Sequence, residues 1–117
     1  MKLILSAHNI KLTEAIEKHI VDKVEKLAKL DIYAVGARVT IEHDTTKPVE
    51  KKFKCSLKLD RPGPDLFAED YEEDLYAAID LVTKKVEQQI RTQHSKFKAR
   101  KHTEAARSKL KRQERND

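Results

Sequence analysis

The spacing of apolar and polar positions changes repeatedly along this chain. "KLILSAH" alternates Leu3, Leu5 and Ala7 against Lys2, Ser6 and His8, with Ile4 the exception, which is the period of a strand buried on at least one face. After a short connection from Asn9 to Leu12 the period lengthens. Ile16, Ile20, Val24 and Leu27 fall four, four and three residues apart, widened by Val21 and Ala28, so they form one helical stripe. The Thr13 hydroxyl can accept from an unpaired first-turn N–H and Glu14 suits the positive end of the dipole. A helix from there to about Leu30 follows.

"AVGARVTIEHD" sets Ala37, Val39 and Ile41 against Arg38, Thr40 and Glu42, and "KFKCSLKLD" sets Phe53, Cys55, Leu57 and Leu59 against Lys52, Lys54, Ser56 and Lys58. These read as two strands with one wet face each. Asp44 to Val49 is a polar hairpin connection, and "DRPGPD", Asp60 to Asp65, is the strongest turn signal. A short fourth strand over Leu66 to Asp70 can follow. Asp74 then caps a second helix, in which Leu75, Ile79, Val82, Val86, Ile90 and Phe97 keep a helical period for roughly 25 residues, about 37 Å, to near Lys98. The order β-α-β-β-β-α packs most economically as an α+β domain, a four-stranded sheet with both helices on one face.

Composition narrows the function. A chain of 117 residues fits one domain with a modest core. Residues 1–94 hold 16 Lys/Arg against 17 Asp/Glu, whereas residues 95–117 hold 9 against 3. The excess positive charge therefore lies in the C-terminal stretch. "ARKHTEAARSKLKRQERND" has no second apolar stripe to offset its ordering entropy. The expectation is a folded domain over residues 1–98 and a disordered basic tail over 99–117.

Three Phe, three Tyr and no Trp make base-stacking platforms scarce, which counts against a single-strand reader. One cysteine forms neither an internal disulfide nor a zinc cluster and fits a reducing compartment. No long apolar run or signal-peptide pattern stands out, so a soluble cytoplasmic protein without membrane contact is expected.

Catalysis finds no support, since there is no nucleophile motif, no glycine-rich phosphate loop with only Gly36 and Gly63 present, and no His pair at metal spacing. No enzyme activity, cofactor, metal or small-molecule substrate is expected. Cys55 lies in an inward-facing series and reads as a small buried hydrophobe. His8 and His43 could be neighbours across strands but lack a spaced third ligand. The run "EDYEED", Glu69 to Asp74, suits a helix N-terminus, and Lys52, Lys54 and Lys58 suit a solvated strand face that discourages edge pairing.

The cations on the helices are harder to dismiss. Lys84, Gln88, Arg91 and Lys98 lie near i, i+4, i+7 and i+14, flanked by Lys85 and Lys96, while Lys23 and Lys26 form a flank of the first helix. The plain reading is a charged solvent face. If the helices pack side by side, the same residues border a basic strip that matches the phosphates of structured RNA.

"LSAHNIKLTEAIEKHIVDKVEKL" and "EEDLYAAIDLVTKKVEQQI" resemble the N-terminal domain of the ribosome hibernation-promoting factor and ribosome-associated inhibitor family, also called sigma-54 modulation proteins. The resemblance spans roughly residues 1–98 and rests most on Thr13-Glu14-Ala15, on Lys23 and Lys26, and on Asp74 to Asp80. It implies a fold like a double-stranded-RNA-binding domain, lodged in the mRNA and tRNA channel of the small ribosomal subunit. Translation would be blocked there by occupancy alone. The implied partners are that subunit and its rRNA, with the free protein a monomer. Implied rRNA contacts fall on Lys23, Lys26, Lys85, Lys96 and Lys98, with Lys84 and Arg91 supplying charge where Gln88 and Thr92 replace residues often basic in the family. Tyr76, Ala78 and Asp80 look architectural. Long members add a domain that pairs ribosomes, so the expectation here is a short member. A protein-binding transcription regulator without ribosome binding is the alternative the older family name suggests.

Overall fold

The computed structural model describes residues 1–94; the expected turns around Phe97 and Lys98 and the tail 99–117 lie outside them. The described chain runs β1 (Lys2–His8), α1 (Glu14–Leu30), β2 (Gly36–His43), β3 (Phe53–Asp60), β4 (Leu66–Glu72) and α2, helical over 75–94. β1 pairs parallel with β2, which leaves α1 to make the crossover. β2, β3 and β4 continue antiparallel, giving a four-stranded mixed sheet in the order β1-β2-β3-β4. The α+β expectation holds in element order and in the placement of both helices.

Local chemistry accounts for the element ends. The Thr13 hydroxyl accepts the Ile16 N–H at 3.2 Å, and the Asp74 carboxylate accepts the Ala77 N–H at 3.0 Å. Asn9 takes a positive φ of 57° after β1 and ties the bend down by donating its amide to the His43 carbonyl at 3.0 Å. Gly63, with φ of 89°, turns the chain inside "DRPGPD", where a side chain would be strained. The β2–β3 connection contains a short 3-10 turn, Val49–Lys51, that the polar composition of the segment did not announce. β4 reaches Glu72, two residues past the expected end, because Tyr71 and Glu72 stay in register with Lys54 and Phe53.

One core unites the elements. Leu3, Ala37, Leu59 and Leu66 lie in one row across the sheet, and Leu5, Val39, Leu57 and Ala68 in the next. Onto these rows α1 lays Ile16, Ile20, Val24 and Leu27, and α2 lays Leu75, Ile79, Val82, Val86 and Ile90, all in a single buried cluster. Each such side chain contributes about 1.5–3 kcal/mol when fully buried. Cys55 belongs to this cluster, and burial pushes its thiol up to about 12.

A buried polar clasp closes one end of the core. Asp31, just past α1, gives one carboxylate oxygen to the Tyr33 N–H at 3.1 Å, and its other oxygen lies 3.3 Å from Nε of Arg61 in the β3–β4 turn. That approach has ion-pair distance without hydrogen-bond alignment, since neither atom has an aligned hydrogen-bond partner. A second Arg61 nitrogen donates to Gln93 on α2 at 2.6 Å. The Asp31 side chain is fully buried, so the pair is costly to break and contributes little net stability intact.

Two outcomes follow from the core. Arg61→Ala, which strands the Asp31 charge, should cost about 3 kcal/mol or more and lower Tm by about 10 °C or more, whereas Asp31→Leu with Arg61→Met should recover most of that; thermal unfolding of the three chains checks this. Cys55 should resist a thiol reagent in the native protein at pH 8 and react at once in denaturant. Because its folded pKa lies above the unfolded one, its effect on stability is absent below pH 9 and becomes a loss as pH rises toward 12. A pH titration of unfolding would show it.

Candidate nucleic-acid interface

Burying both apolar stripes on the same sheet face leaves α1 and α2 side by side, and their polar flanks meet. The groove between them, about 580 Å³, is floored by Leu27, Leu30 and Thr83 and lined by Lys23, Lys26 and Lys29 from α1 and by Lys84 and Arg91 from α2. The Thr83 hydroxyl donates back to the Ile79 carbonyl at 2.7 Å, so the floor carries no free hydroxyl hydrogen. Five cations face two carboxylates, Asp80 and Glu87. The groove therefore carries a net positive charge.

Those carboxylates hold part of the groove together. Asp80 meets the His19 ring at 2.6 Å and the Lys23 ammonium at 3.4 Å, and the His19 ring packs edge-on against Tyr76, 5.1 Å between centroids. Asp80 thus ties α2 to α1 while partly neutralising Lys23. Arg91 pairs with Glu87 one turn back at 2.9 Å. Lys26, Lys29 and Lys84 have no ion-pair partner among the described residues. They are the cations most available to a polyanion.

The structure sorts the residues singled out by sequence. Lys23, Lys26, Lys84 and Arg91 converge on one groove, whereas Lys85 lies on the opposite flank of α2, 3.0 Å from Asp70, beside Gln88 and Thr92. Lys96 and Lys98 lie outside the described residues. Lys29 was missed, although it continues the three-residue step of Lys23 and Lys26.

The cations of the open sheet face are largely engaged by rings and carboxylates, Lys47 and Lys54 lying 5.0 and 5.6 Å from the Tyr71 ring centroid. Lys54 meets Glu69 at 3.5 Å, Lys58 meets Asp65 at 3.4 Å, and Arg38 lies 3.9 Å from Asp60. Burial tends to lower the Lys54 pKa, but Glu69 and Tyr71 outweigh it and hold the ammonium above its usual value. His8 pairs with Glu42, not His43, and the alternation of side chains puts the two histidines on opposite faces. No group of three or more His, Cys, Asp or Glu among the described residues could hold a metal ion, and no described helix is long and apolar enough to cross a membrane.

Comparison with known proteins bears on what such a groove is for. The family model described as "Sigma 54 modulation protein / S30EA ribosomal protein" matches residues 3–98. The chain belongs to this family. Within the S30EA family it is 31% identical over 96 residues to the ribosome hibernation promotion factor of Deinococcus radiodurans, covering 82% of this chain and 48% of that protein. It is 34% identical over 100 residues to the factor of the same name from Lactococcus lactis subsp. cremoris, covering 86% and 51%. This S30EA chain thus spans about half the length of these curated relatives. Its fold matches the crystal structure of the Thermus thermophilus Protein Y N-terminal domain with a TM-score of 0.66 at 25% identity, covering 77% of this chain and 96% of that one.

Asp80→Asn should raise the groove's net charge by one and release Lys23. The variant is expected to elute from immobilised heparin at higher salt than the parent, with a stability loss below about 1 kcal/mol because the pair is half exposed. Earlier elution would show that Asp80 organises the groove more than it neutralises it.

Proposed function

We propose that this chain binds the small ribosomal subunit through its rRNA, inhibits translation by occupying the mRNA and tRNA channel, and so promotes ribosome hibernation under stress. The inter-helix groove carries this proposal, because Lys23, Lys26, Lys29, Lys84 and Arg91 all line it. Several cations held on rigid helices bind a fixed array of phosphates with little ordering cost, and A-form RNA is recognised largely through backbone shape. Lys85, Lys96 and Lys98 are proposed as further contacts on the same partner. Family membership and relatives named ribosome hibernation promotion factor support the same partner.

The acidic run that a protein-binding transcription regulator would present is largely engaged internally. Glu69 pairs with Lys54, Asp70 with Lys85, and Asp74 caps α2. Less of it remains for a partner, which favours the ribosomal reading.

Binding to purified small subunits should weaken steeply with salt, and joint alanine substitution of Lys26, Lys29 and Lys84 should reduce the slope of log K against log salt by about one unit per lysine that contacts a phosphate. In sucrose gradients, mRNA with initiator tRNA should displace the protein from the subunit. Salt-insensitive binding, or co-sedimentation untouched by those competitors, would contradict the proposal.

A further inference from the structure

The flank of α2 that turns away from α1 carries a different chemistry. Between α2 and the edge strand β4 lies a groove of about 490 Å³, lined by Leu66, Lys85, Gln88, Gln89, Thr92 and Gln93. Among the described residues its one cation, Lys85, sits 3.0 Å from the Asp70 carboxylate, so these residues offer a phosphate little net charge to hold. It offers amides and a hydroxyl instead.

Two of the amides are tethered at one end, which decides what the other end presents. Gln89 donates from Nε2 to the Phe67 carbonyl at 2.9 Å, and Gln93 accepts at Oε1 from the Arg61 guanidinium at 2.6 Å. A carbonyl takes only a donor and a guanidinium only an acceptor, so neither amide can be reversed. Gln89 Oε1 is left as an acceptor and Gln93 Nε2 as a donor, on residues one helical turn apart, neither with a hydrogen-bond partner among the described residues. Gln88 and Thr92, both exposed, add a second pair of polar groups one turn apart.

We propose that this amide groove takes the ribose 2′-hydroxyls and base edges of an A-form RNA minor groove. The proposal rests on the reading that the partner is structured RNA and adds which edge of that RNA is met. A 2′-hydroxyl both donates and accepts, so it can satisfy the acceptor at 89 or the donor at 93, and the deoxyribose of DNA can do neither. The minor groove of A-form RNA is wide and shallow enough to be reached. A helix about 10–12 Å across then touches phosphates with its cationic flank and sugars with its amide flank.

The test is fluorescence polarisation of the full chain at low salt with an RNA duplex of about 16 bp and a DNA duplex of the same sequence. The parent should prefer RNA by about tenfold. Gln88→Met with Thr92→Val, at exposed positions that leave the fold intact, and separately Gln89→Met should each lower RNA affinity toward the DNA value while leaving DNA affinity unchanged. Lys26→Ala should weaken both duplexes alike. Equal binding of the two duplexes by the parent, an RNA preference that survives both amide variants, or a loss on both duplexes would overturn the amide proposal. An unaffected Lys26→Ala would instead count against the phosphate groove.

Discussion

Two helices and one available sheet face set most of what this molecule presents to its surroundings. Ala37, Val39 and Ile41 of β2 and Phe53, Cys55, Leu57 and Leu59 of β3 form a continuous apolar face, and the stripes of α1 and α2 both bury against it in one cluster. The opposite face carries Arg38, Thr40, Lys54, Ser56 and Lys58 and cannot accept a helix without burying charge. Both helices are therefore confined to one layer, and the flanks beside their stripes face each other. Hydrophobic burial, with no sequence instruction about charge, creates the groove; the identity of the flanking residues then decides its sign.

Bringing Lys23, Lys26, Lys29, Lys84 and Arg91 together costs electrostatic free energy in the free protein. Asp80 and Glu87 limit that cost, and they do so unequally. Asp80 bridges the helices through His19 and Lys23, whereas Glu87 pairs with Arg91 on its own helix. The lysines without partners among the described residues keep their charge exposed, where a polyanion relieves their mutual repulsion and releases its own counterions. The two flanks of α2 differ in the same way: cations where it meets α1, amides where it meets β4.

Much of the fold was legible because short-range signals agreed. The period-two and period-3.6 patterns, the caps at Thr13 and Asp74 and the turn "DRPGPD" each pointed to the element observed. β4 ran past its expected end because Tyr71 and Glu72 offer no apolar alternation, and only the register with β3 keeps them paired. The Asp31–Arg61–Gln93 clasp was invisible, since its members lie some thirty residues apart and each alone resembles a surface residue. The candidate site was half legible. Periodicity showed that Lys84 and Arg91 share a face, but placing Lys85 on the other flank required knowing where α1 sits against α2.

The inter-helix groove, and not the open sheet face, is the surface proposed to meet small-subunit rRNA. Site-specific photocrosslinking tests it most directly, with a photoreactive side chain placed in turn at position 26, at position 84 and, on the sheet face, at position 56. Crosslinks to small-subunit rRNA from positions 26 and 84, and none from 56, are the expected result. Crosslinks from position 56 alone would contradict it.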